Sequence, residues 1–139
     1  VIGFDIEWEL SRLGAPPTPP ATIQLAAGRV VVIFQVLHGQ RNAPKKPPQS
    51  LADLLEDADL AKTGVGIKGD CTRLQRFYSV EIRNIVDLPA LALQGKVDVG
   101  ARRGLTDLCL HLVGKRLQKE QHLRLSTWNV AKLTEEQQG

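Results

Sequence analysis

No methionine occurs anywhere in the 139 residues, so the chain is expected to be a piece cut from a longer protein. Cysteine is almost as scarce. Cys71 and Cys109 are the only two, they lie far apart, and they form no CxxC pair, which argues against a zinc site. Both fall on expected helices and are read as reduced, mostly buried thiols of an intracellular protein. No apolar run approaches the roughly 18–20 residues that a membrane span needs. The opening Val1-Ile2-Gly3-Phe4-Asp5 has no basic segment, which excludes a secretory signal there. Internal repeats are lacking too, and no second domain is expected.

What is present is ordinary globular composition. Apolar residues make up 42% and charged residues 24% of a chain long enough to bury one core. The formal net charge of +3 permits nucleic-acid binding without demonstrating it.

Periodicity gives the order of elements. Val1 to Trp8 alternates, with Phe4, Ile6 and Trp8 on one side and Gly3, Asp5 and Glu7 on the other, so it is a strand with one acidic face. Leu13 to Pro20 is a Pro-rich turn. Thr22 to Ala26 and Arg29 to Leu37 read as two strands joined by a tight break at Gly28, an antiparallel hairpin. The β-branched run Val30-Val31-Val32-Ile33-Phe34 predicts that the second of these is central and covered on both faces. His38 to Gln49 is a loop. Ser50, with Asp53 three residues on, predicts a capped helix presenting Leu51, Leu54 and Leu55. Thr63 to Ile67 is a short strand, Asp70 opens a helix carrying Leu74, Phe77 and Tyr78, and Ile85-Val86 is a further short strand. Helices follow over Leu88 to Leu93 and Leu105 to Val113, the second ended by Gly114. A hairpin followed by alternating helix and strand means α/β with a mixed sheet and flanking helices.

Three carboxylates carry the chemistry. Asp5 and Glu7 sit at i and i+2 on a strand, so they share a face, roughly 6–7 Å apart along the chain. Like charges so placed repel and resist burial. A hard divalent cation such as Mg²⁺ or Mn²⁺, which takes carboxylate oxygens, removes that problem. The competing account is an edge strand whose outer face is simply wet. Asp70 follows a strand and a glycine-flanked turn, the strand end where open α/β sheets bind ligands. It could equally be an N-cap. Lys68 could contact a phosphate or stand in solvent.

Taken together, these residues resemble a known family. Val1-Ile2-Gly3-Phe4-Asp5-Ile6-Glu7-Trp8 resembles the first motif of the DEDD-type 3′–5′ exonucleases, most closely the exonuclease domain of the Werner-syndrome type, in the ribonuclease D superfamily. Val65-Gly66-Ile67-Lys68-Gly69-Asp70 is similar to the second motif. Val86-Asp87-Leu88 with Leu91-Ala92, and Gly104-Leu105-Thr106-Asp107-Leu108, resemble the family's structural middle. Leu125-Ser126-Thr127-Trp128 and Leu133-Thr134-Glu135-Glu136-Gln137 resemble the lead-in to the third motif. The motifs are short and weak singly, but they occur in the right order over nearly the whole chain.

The resemblance implies a ribonuclease-H-like fold and two-metal hydrolysis of a terminal phosphodiester at a 3′ end, with DNA the favoured substrate and RNA the alternative. It assigns the catalytic and metal-binding roles to Asp5, Glu7 and Asp70: Asp5 bridging two Mg²⁺ or Mn²⁺ ions, Glu7 on the ion that activates water, Asp70 on the second. Trp8 could brace a terminal base, although its strand face favours a core role, and Lys68 could bind substrate. Trp128 is expected to pack the approach to the last helix. The family's third motif supplies a water-orienting tyrosine and a fourth aspartate, both due just after Gln137. Tyr78, the one tyrosine, is in the wrong place. The 139 residues are therefore expected to be a single exonuclease domain lacking its C-terminal catalytic helix, with Thr134 and Gln137 capping the start of that helix. A DNA-repair role and a nuclear setting are the narrower expectations. The alternative is a non-catalytic relative that binds nucleic acid or a protein. Asp87 and Asp107 are read as capping or structural, and His38, His111 and His122 are given no role. Lys45, Lys46, Arg102, Arg103, Lys115, Arg116 and Lys119 could line a strand-binding surface or be merely solvated.

Overall fold

The structure is a computed structural model that describes residues 1–37, 46–100, 103–118 and 121–138. Five strands form one mixed sheet: β1 (Ile2–Trp8), β2 (Pro20–Ala27), β3 (Val30–Gln35), β4 (Lys62–Gly64) and β5 (Ile85–Asp87), in the order β3-β2-β1-β4-β5. The first three pair antiparallel, and β4 and β5 pair parallel, on the other side of β1. The acidic strand is thus the middle of the sheet, with the β2–β3 hairpin flanking it as expected.

The helices are α1 (Gln49–Glu56), α2 (Ile67–Tyr78), α3 (Leu88–Gln94), α4 (Leu105–Leu108), α5 (Gln121–Arg124) and α6 (Glu135–Gln138). Alternation on β1 buries Phe4 and Ile6. Ile23 from β2, Leu51 and Leu55 from α1, and Ile67, Leu74 and Tyr78 from α2 join that core, with Val36, Val80 and Ile82. One sheet face is therefore covered by α1 and α2, and Asp5 and Glu7 face the other. A second cluster gathers Ala21, Leu37, Trp128 and Leu133. Trp128 is a core residue at the approach to α6, as expected. The Thr134–Gln137 capping box is present in both directions: Gln137 N–H donates to the Thr134 hydroxyl at 3.2 Å, and Thr134 N–H donates to the Gln137 side-chain oxygen at 3.0 Å.

Several expectations fail for physical reasons. β3 is not a covered central strand but the sheet edge, with Val30 and Val31 more than 60% exposed. A β-branched run favours extended backbone, but burial depends on what lies against it, and β3 has a strand partner on one side only. Ser50 does not cap α1; the helix starts at Gln49, two residues earlier than a Ser50 cap would place it, after Pro48 and with no side-chain cap. The strand predicted over 63–67 is Lys62–Gly64, because Gly66, at φ +71°, breaks it and Ile67 already begins α2. Asp70 consequently lies within the first turn of α2 and does not open it. The helix predicted over 105–113 is one α-helical turn followed by a π-helical turn over Cys109–Val113, closed by Gly114 at φ +70°. Both cysteines are free thiols and only half-buried. His38, Lys45, Arg102 and Lys119 lie outside the described residues.

Candidate active site

Asp5 and Glu7 occupy the exposed face of the central strand, opposite Gln24 and Thr22 of β2. Asp70 reaches the same place by a different route. β4 ends at Gly64, the chain turns at Gly66, and α2 starts directly above the strand end. Asp87, the last residue of β5, holds that turn. Its Oδ1 accepts from the Gly66 N–H at 2.7 Å and the Ile67 N–H at 3.3 Å. Asp87 thus caps a neighbouring helix, which fits its structural assignment. Gly64 is needed for close approach, since a Cβ there would stand 2.7 Å from the Phe4 carbonyl oxygen on β1.

Asp5, Glu7 and Asp70 all line one pocket of about 650 Å³, walled also by Thr63, Gly64, Trp8, Leu10, Leu88 and Leu105. The electrostatics show that Asp5 and Asp70 feel each other. Burial, and then the Asp5 charge, push the Asp70 carboxyl up to about 7, while Arg73 opposes the rise. Asp5 Oδ1 also accepts from the Ile6 N–H at 2.9 Å. As the side chains stand, no three His, Cys, Asp or Glu residues are grouped to hold one metal ion among the described residues. Thr63 Oγ1 is buried without a hydrogen-bond partner.

The other sequence candidates separate. Trp8 lines the pocket and also packs on the core; the strand register is irregular between Glu7 and Trp8, which relaxes strict alternation. Lys68 is exposed and does not line the pocket. Tyr78 is remote from the chemistry: its buried hydroxyl donates to the Pro20 carbonyl, and burial raises its pKa. Lys46, Arg103, Lys115 and Arg116 are exposed. His111 Nδ1 bonds the Asp107 carbonyl at 2.8 Å, and His122 meets Glu136 at 3.3 Å. Sequence reasoning missed Arg73, whose guanidinium carbon lies 4.1 Å from the Trp8 ring centroid. Its spacing from Asp70, one helical turn, was the available signal.

The family model described as 3′–5′ exonuclease matches residues 1–138. The chain belongs to the 3′–5′ exonuclease family. It is similar to a 3′–5′ exonuclease of Arabidopsis thaliana, 36% identical over 98% of this chain and 46% of that protein. It is also similar to the bifunctional 3′–5′ exonuclease/ATP-dependent helicase WRN of Mus musculus, 33% identical over 99% of this chain and 9% of that protein. The chain spans less than half the length of these curated relatives. Among solved structures, the EXD2 exonuclease domain superposes with a TM-score of 0.57 at 28% identity, covering 98% of this chain and 66% of that one. The same domain soaked in Mn and GMP gives a TM-score of 0.55. The mixed sheet with flanking helices is thus the ribonuclease-H-like fold of exonuclease domains.

Proposed function

We propose that this chain is the nuclease core of a metal-dependent 3′–5′ exonuclease that removes terminal nucleotides from nucleic acid, DNA in preference to RNA. The observation that carries the reading is the meeting of Asp5, Glu7 and Asp70 in one pocket, with Asp70 forced upward to about 7 by burial and by the Asp5 charge. A buried carboxylate raised further by the charge of a second one belongs to a donor set that a hard divalent cation relieves. The unpartnered Thr63 hydroxyl beside them adds a further polar atom on the same wall. The residues therefore fit a Mg²⁺ or Mn²⁺ site in donor chemistry.

Asp5 would be the carboxylate common to two ions, Glu7 a ligand of one and Asp70 a ligand of the other. When bound, the ions would lower the pKa of an attacking water and neutralise charge on the leaving 3′ oxygen. The chain's own part is to hold the carboxylates apart on two rigid elements, a central strand and a helix start braced by Asp87. Trp8 and Leu10 offer an apolar wall for a terminal nucleotide. Lys68, exposed in the first turn of α2 and outside the pocket lining, is assigned a phosphate contact. An intracellular, nuclear role in DNA repair agrees with this chemistry.

The test is degradation of a 3′-recessed DNA duplex and a matched RNA strand by the intact protein, with Mg²⁺ or Mn²⁺ and with chelator. Asp5→Ala should abolish activity and cation binding, and Glu7→Ala should do nearly as much. Activity that survives chelator or Asp5→Ala would put the chemistry elsewhere. The second account is a non-catalytic module that binds nucleic acid or a protein. Binding of single strands without hydrolysis at any cation concentration would establish it.

A further inference from the structure

The loop of residues 9–19 between β1 and β2 contributes one residue, Leu10, to the pocket wall. Residues 9–17 are all exposed, so this loop has no apolar core to hold it in place. It is closed on itself instead. The Thr18 hydroxyl donates to the Glu9 carbonyl, the Ser11 hydroxyl donates to the Pro16 carbonyl at 2.7 Å, and the Ala15 N–H donates to the Arg12 carbonyl at 2.9 Å. Such a loop is a semi-rigid flap whose position depends on what grips its two ends.

Arg73 grips both. Its guanidinium stacks on Trp8, the residue that leads into the loop, at 4.1 Å from the ring centroid. Its Nη1 donates to the backbone carbonyl of Thr18, where the chain returns toward β2. A planar guanidinium can stack with its face and donate from its edge at once; an ammonium cannot do both. Arg73 lies three residues beyond Asp70 on α2, so the anchor is the same helix that carries the third carboxylate.

We infer that Arg73 is a positioning residue that fastens both ends of the 9–19 loop to α2, setting the distance between the Leu10 wall and the carboxylates, and thereby how tightly the pocket holds a terminal nucleotide. This rests on the exonuclease reading for its consequence, but not for the clamp itself. Loosening the wall weakens substrate binding and leaves the carboxylates where they are, so the effect falls on KM and spares kcat.

The experiment compares the intact wild-type protein with Arg73→Lys and Arg73→Gln. Hydrogen exchange of the 9–19 segment reads the clamp, and kinetics on a short single-stranded DNA oligomer with Mn²⁺ read its consequence. Both variants should speed exchange of the loop about ten-fold and raise KM about ten-fold, and Arg73→Lys, which keeps the positive charge beside Asp70, should leave kcat within about two-fold. If Arg73→Gln fails to fold, Arg73→Lys decides alone. The inference is overturned if loop exchange is unchanged, or if Arg73→Lys matches wild type in both readouts, which would reduce Arg73 to its charge. A fall in kcat at constant KM in Arg73→Lys would also overturn it, by making Arg73 a partner of the reacting groups. If the wild-type protein hydrolyses nothing, the functional reading fails and the exchange measurement alone judges the clamp.

Discussion

Removing the Asp87 carboxylate should expose how the site is assembled. Asp87 sits on β5, twenty residues away from the turn it holds, and one of its oxygens accepts two N–H groups at the start of the 12-residue helix α2. A hydrogen bond to a charged group contributes about 1.5–3 kcal/mol, and loss of an N-capping side chain costs about 0.5–2 kcal/mol. Asp87 is half-exposed and the second contact, at 3.3 Å, is long, so the lower part of the range applies. Asp87→Ala should cost about 1.5 kcal/mol, a fall in Tm of roughly 5 °C for a domain of this size. Asp87→Asn keeps an oxygen acceptor and loses only the attraction between a charge and the helix N-terminus, about 0.3–1 kcal/mol. Its Tm should fall by about 2 °C. Urea denaturation of the two variants at neutral pH and moderate salt measures the difference. The turn also sets where Asp70 stands, so Asp87→Ala should reduce nuclease activity even well below its Tm, in a protein that remains folded. If Asp87→Ala lies within about 0.5 kcal/mol of wild type, or if Asn is as damaging as Ala, the cap is not what holds the turn.

Other outcomes follow from the same geometry. Gly64→Ala drives a methyl group into the Phe4 carbonyl and should cost about 1–3 kcal/mol, whereas Gly69→Ala, in open space within α2, should be neutral or gain up to about 1 kcal/mol; paired urea titrations compare them. Val30→Lys on the exposed edge of β3 should change stability by less than about 0.5 kcal/mol, and a loss of several would restore the covered-strand picture. Asp70 has a folded-state pKa raised from 3.8 to about 7, so the folded protein keeps a proton that the unfolded chain releases across that range. In chelator, stability should therefore fall as pH rises from about 4 to about 7, and Asp70→Asn should flatten that slope and raise Tm at pH 7. A slope unchanged by Asp70→Asn would assign the proton to another group.

The local order of the chain was legible from residue type alone. Alternation from Val1 to Trp8 gave the acidic strand, the break at Gly28 gave the hairpin, and the spacing of Leu74, Phe77 and Tyr78 gave α2, because period and turn chemistry act over a few residues. The expectation that Asp5, Glu7 and Asp70 act together came from the family resemblance, and all three line one pocket. What the sequence could not decide was anything that depends on the neighbour across space. Val30 to Phe34 has the composition of a covered strand and is an edge, since exposure is settled by the order in which strands pair and not by the strand itself. Asp87 could be read as a cap but not as the cap of a helix twenty residues earlier. Arg73 could be placed one turn after Asp70, but its stacking on Trp8 and its reach to Thr18 exist only once β1, the 9–19 loop and α2 have met. The elevation of Asp70 to about 7 has the same origin. It needs burial and the nearby Asp5 charge, and both arise when the central strand and the helix start close on one pocket.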